Sequence, residues 1–213
     1  MLQNRKICVI IEKHTPKPAV RQCRRRNLQI MKGNQSNMAN NDSVLRAPVS
    51  KPYLITRNQA LRLSASNFTQ FMTESTVYGV VVDIPMSPTL ITTLACYING
   101  AANLYFSPGG DYSGAAQRYP AVVQAARSLV ANAAKYVERA EKAATLELPN
   151  GRIHFAYILT TGGSYRLTLN PYDPNRSEED RLFIALYQRV MNELRGAQMK
   201  DKAAGIDPNA AIQ

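Results

Sequence analysis

The chain has 213 residues, of which 45% are hydrophobic, enough apolar side chains for one domain of ordinary size. Its net charge of +11 is unevenly placed: residues 1–62 hold 13 Lys or Arg against 2 Asp or Glu, and residues 63–213 hold 13 against 13. A polyanion-binding reading on charge therefore applies to the leading segment alone, and no run approaches the roughly 18 apolar residues that a spanning helix needs.

Residues 1–62 show no stable hydrophobic period. Arg24, Arg25 and Arg26 form a basic cluster, an Asn-rich tract follows Gly33, and Pro16, Pro18, Pro48 and Pro52 interrupt the rest. The composition predicts a disordered leader or linker. Three accounts of it stay open: a basic arm, a targeting segment, or a start assigned too early, with Met31 and Met38 as internal candidates.

From Ser64 a pattern emerges, and a single domain over residues 64–196 is expected. Ser64 or Ser66 can cap a short helix in which Phe68, Phe71 and Met72 share a face. Strands are predicted over 78–84, 90–98 and 101–107, the last two joined by Asn99-Gly100, a dipeptide suited to the positive φ of a two-residue hairpin turn. The loop 108–114 leads to a long helix from Pro120, with Val122, Ala126, Leu129 and Ala133 on one stripe. Strands over 152–160 and 165–169 turn at Gly162-Gly163. A last helix starts after Ser177, buries Leu182, Phe183, Leu186, Tyr187, Val190 and Leu194, and stops at Gly196. Residues 197–213 read as a flexible tail.

The expected fold class is thus α/β of the α+β type, in the order α-β-β-β-α-β-β-α. A five-stranded, mainly antiparallel sheet is flanked by helices, because short hairpins force antiparallel neighbours.

Few residues carry a chemical signature. Cys8, Cys23 and Cys96 form no CxxC pair and the chain has 2 His, which argues against a Cys/His metal site; a reducing, cytoplasmic setting is expected. No cofactor is indicated, since the glycine-rich loop matches neither the P-loop nor the dinucleotide spacing. His154 alternates with the apolar side chains of its strand and is placed toward solvent or a facing layer. Asp83 lies at the end of an apolar strand and Asp111 in the glycine-rich loop, each more simply read as a turn cap than as half of an acid/base pair. The best surface for a ligand or partner is the loop end: Tyr105, Gly109, Gly110, Asp111, Tyr112 and Arg118, with Tyr119 beside them.

The element order resembles the small roadblock/profilin-like modules, on the first three strands, the Asn-Gly hairpin and the LYFSPGG run before an alanine-rich helix, over residues 77–194. That resemblance implies a non-enzymatic, homodimeric scaffold that partners small GTPases or cytoskeletal proteins. The leading expectation is therefore a protein-interaction module without a membrane contact. The alternatives are nucleic-acid binding through the basic arm, and ligand binding or catalysis at loop 108–114.

Overall fold

The computed structural model describes residues 47–72 and 76–206. The basic cluster at Arg24–Arg26 lies outside the described residues. Helix α1 spans Lys51–Leu61: Ser50 caps it, its Oγ accepting from the Tyr53 N–H, and Pro52 sits in the first turn, where its missing N–H is not needed. A 3-10 helix, Ala65–Phe71, leads into the sheet. The strands are β1 (Val77–Ser87), β2 (Leu90–Tyr97), β3 (Ala102–Phe106), β4 (Asp111–Tyr112), β5 (Glu141–Lys142), β6 (His154–Thr160) and β7 (Gly163–Leu169). Between β4 and β5 come α2 (Ala115–Arg118), α3 (Pro120–Ala133) and a second 3-10 helix, Ala134–Arg139; α4 (Glu178–Ala203) closes the fold.

Every pairing is antiparallel, in the order β4-β3-β2-β1-β6-β7-β5. The class and the open antiparallel sheet agree with expectation, but the sheet has seven strands, not five. The two additions, β4 and β5, are two residues long and sit at the two edges, too short to carry a sequence period. At the Asn99-Gly100 turn Gly100 has φ +94°, and a Cβ there would run into Val123 of α3. The turn therefore requires glycine for both conformation and space.

Helices cover the sheet on both faces. On one, α3 and α4 pack Val122, Leu129, Val190 and Leu194 over Val80, Val82, Leu94 and Ile158. On the other, α1 and the first 3-10 helix join the segment 143–149 over Tyr78, Tyr97, Tyr105 and Tyr157.

Four features differ from the sequence reading. The domain begins before residue 64, because α1, taken as leader, buries Tyr53, Arg57, Ala60 and Leu61. That helix and its C-cap residue add Lys51, Arg57 and Arg62 without an acid, so the domain is less neutral than the expected boundary implied. In the first 3-10 helix only Phe68 is buried, while Phe71, its last residue, is exposed. The long helix tightens to 3-10 geometry after Ala133. Helix α4 runs through Gly196 to Ala203, and Leu182, expected in its buried stripe, is 55% exposed.

Candidate functional site

Of the loop-end residues singled out in the sequence, the structure gathers three, Tyr112, Arg118 and Tyr119. In β3–β4 pairing Leu104 faces Tyr112 and Tyr105 faces Asp111. Strand alternation then sends Tyr112 to the α3–α4 face and Tyr105 to the opposite one. Gly109 and Gly110 form the hairpin turn, with Gly109 N–H donating to Phe106 and Phe106 N–H to Gly110. The Ser107 carbonyl accepts from Ser50 N–H, so this loop backbone is committed to the fold. Asp111 accepts a 2.6 Å hydrogen bond from the Ser113 hydroxyl.

Tyr112, Arg118 and Tyr119 meet instead at Asp201, which the reading of a tail beyond residue 197 hides. The Asp201 carboxylate is 1% exposed and accepts from Tyr112 Oη at 2.7 Å, Tyr119 Oη at 2.6 Å, and Arg118 Nη2 and Nε at 2.6 and 3.2 Å. These donors, Arg118 first, hold its carboxyl well below the usual carboxylate range despite burial. An anion approaching Arg118 finds a carboxylate already in place. The cluster pins the last turn of α4 to α2, which is why the helix outlasts Gly196. The good helix formers at 197–200 were a sequence signal for that continuation.

A second polar cluster lies under α1. Asp83, wholly buried in β1, receives Arg57 Nη2 at 2.5 Å, Arg57 Nε at 3.0 Å and the Thr93 hydroxyl at 2.6 Å. The same guanidinium donates to the carbonyls of Leu146 and Glu147 at 2.8 and 2.9 Å. Tyr53 Oη reaches Thr93 Oγ1 at 2.7 Å. Burial works against the Arg57 charge, but the adjacent Asp83 outweighs it and raises its pKa. Asp83 is thus neither a turn cap nor a partner of Asp111; its counterion is 26 residues upstream. A hollow of about 350 Å³ is lined by Arg57, Leu146 and Pro149, and Asp83 does not line it.

Of the two placements expected for His154, the facing layer holds: it is buried against α4, and its Nδ1 lies 2.7 Å from Tyr187 Oη. Burial lowers its pKa from 6.5 to about 4, so the ring is neutral at pH 7. Cys96 packs as a small apolar side chain with no exposure. Among the described residues no group of three or more His, Cys, Asp or Glu is placed to hold a metal, and no helix is long and apolar enough to cross a membrane.

Two hollows of similar size open elsewhere, and one, of about 440 Å³, lies at Met199, Asp201 and Ile206 beside the end of α4. Between the second 3-10 helix, the end of α3 and the start of α4 lies the other, a hollow of about 420 Å³. Tyr136, Leu182, Ala185 and Leu186 form its apolar part, and Asn132, Lys135, Arg139, Glu179 and Arg189 its polar part. Leu182 leaves the buried stripe to stand in this hollow. Sequence spacing could not show this, because residues 182 and 186 share a helical face whether a neighbour covers it or not. A smaller hollow of about 150 Å³, at Tyr119, Ala121, Gly196 and Lys200, lies at the other end of the α3–α4 pair. No protein-family model, curated protein or solved structure matches the chain, so what the site can do rests on its geometry.

Proposed function

We propose that the domain is a non-enzymatic protein-interaction module that works through its α3–α4 face. The observation that carries this reading is the 420 Å³ hollow with Leu182 exposed in it. Apolar side chains held open on helices are a common basis for partner binding. The buried ionisable groups support binding over catalysis: Asp83, Asp201 and His154 are each closed onto a structural partner. The five longer strands, with α3 between the third and fourth of them, support the likeness to roadblock/profilin-like modules. Self-association, which that likeness implies, would have little open strand to use at the β4 and β5 edges.

A photo-crosslinking amino acid placed at position 182 of the full chain, with position 51 on α1 as control, tests the reading in cells. A discrete protein adduct from position 182 and none from position 51 is the expected result. Absence of adducts from both positions, with the protein folded, overturns it.

A further inference from the structure

The charge around the hollow narrows the kind of partner, an inference that rests on the interaction reading above. On α4 the acids Glu178, Glu179 and Asp180 are confined to the first turn. From Arg181 onward the exposed charges are Arg181, Arg189, Arg195, Lys200 and Lys202, and Glu193 is half-buried. Asp201 is buried and bound to Arg118. At the hollow, Arg139 is paired with Asp180, but Lys135 and Arg189 form no ion pair among the described residues. With Arg139 paired, Lys135 and Arg189 face one acid of the lining, Glu179, so the seam combines an apolar seat with a net positive charge. A second copy would bring the same cations, and so would the sequence ahead of α1, with 10 Lys or Arg against 2 acids through residue 50. Like charges at a contact oppose both occupants. A bare nucleic acid would satisfy the cations but not Leu182 and Leu186, and the ring that could stack on a base, Tyr136, is buried.

We propose that the α3–α4 seam binds an acidic amphipathic helix of a partner protein. Its apolar side chains, at i, i+3, i+4 and i+7, seat beside Leu182 and Leu186, and its carboxylates face Lys135 and Arg189. Fluorescence anisotropy on the full chain tests this with a labelled synthetic helix carrying leucines at those positions and glutamates between them. The controls are a scrambled peptide of the same composition and a labelled single-stranded DNA. The expected result is saturable binding of the amphipathic peptide, roughly tenfold weaker binding of the scramble, and a roughly tenfold loss in both Leu182→Glu and Arg189→Glu. Residue 182 is exposed, so folding should survive; an unchanged melting curve confirms that, and Arg189→Glu serves as the second probe.

Equal binding of the two peptides, or DNA binding tighter than the peptide and untouched by Leu182→Glu, overturns the proposal and marks a general polyanion surface. No peptide binding also overturns it. In that case a crosslinked protein at position 182 would leave the interaction module standing with a partner of different chemistry, whereas no crosslink would remove both.

Discussion

The two faces of the sheet are covered in different ways. The α3–α4 face is mostly aliphatic, with Val80, Val82, Leu94, Leu129, Val190 and Leu194 in one cluster. The α1 face is built on tyrosines, and their hydroxyls tie down what lies above. Tyr97 and Tyr78 donate to the carbonyls of Ala60 and Leu63 at 2.9 Å each, groups at or just past the end of α1. Tyr157 donates to Glu147 at 2.6 Å. The last carbonyls of a helix have no partner within it, and a phenol offers both an apolar body and a polar tip. On this face, irregular segments are held by directed bonds around one buried ion pair. On the other, regular helices are held by area, and polar groups only close the ends. A cover held by directed bonds depends on a few atoms. One held by area tolerates exposed residues at its margin, which is where the hollow lies.

That contrast can be broken most severely at Asp83. Replacing it with alanine leaves Arg57 buried without a counterion, at an expected cost of about 3–5 kcal/mol in urea unfolding. The double variant Arg57→Met with Asp83→Leu should lose less than the single; a larger, additive loss would mean that the pair does not act as a unit. Asp201→Asn should cost about 3 kcal/mol by weakening charge-assisted bonds, with amide exchange speeding up over residues 197–203 and not over α1.

His154 offers a test by pH. Its folded pKa of about 4 lies below the ordinary 6.5, so the unfolded chain takes up the proton first. Stability from the neutral ring is complete above pH 6.5 and falls as pH drops toward 4, with about 2 kcal/mol lost by pH 5. His154→Gln should remove that slope; an unaltered slope would assign it to other groups. Tyr97→Phe should cost about 1 kcal/mol by leaving the Ala60 carbonyl without its donor. Leu182→Glu, at the exposed margin, should move stability by no more than about 0.5 kcal/mol, unlike any change under α1.

The same contrast explains what could be read beforehand. The α3–α4 face was legible because Val122, Ala126, Leu129 and Ala133 recur at helical spacing and the strands alternate between turn residues. The α1 helix also buries a helically spaced set, Tyr53, Arg57, Ala60 and Leu61, but an arginine occupies its second place. The stripe then reads as polar, although Ser50 and Pro52 mark its start. An aspartate inside the apolar run 80–84 was the complementary signal, since a buried carboxylate needs a counterion. Nothing local identified that partner as Arg57. Of the loop-end candidates, Tyr112, Arg118 and Tyr119 proved to share a site, and Tyr105 was turned away by the pairing register.

By itself the sequence determined the class, the antiparallel hairpin at Asn99-Gly100, the β6–β7 hairpin, whose turn is Thr161-Gly162 and so one residue earlier than read, and the start of α4 at Ser177, where the Asp180 N–H donates to Ser177 Oγ at 3.1 Å. These follow from periodicity, turn conformation and capping, which act over a few residues. Tertiary structure decided that α1 belongs to the domain, that α4 continues to Ala203, and that Leu182 stands in an open hollow. Each of those rests on atoms far apart in the chain, Arg57 with Asp83, Arg118 with Asp201, and α3 with α4. Such pairings carry no local signature, because their energy appears only once the sheet has brought the partners together.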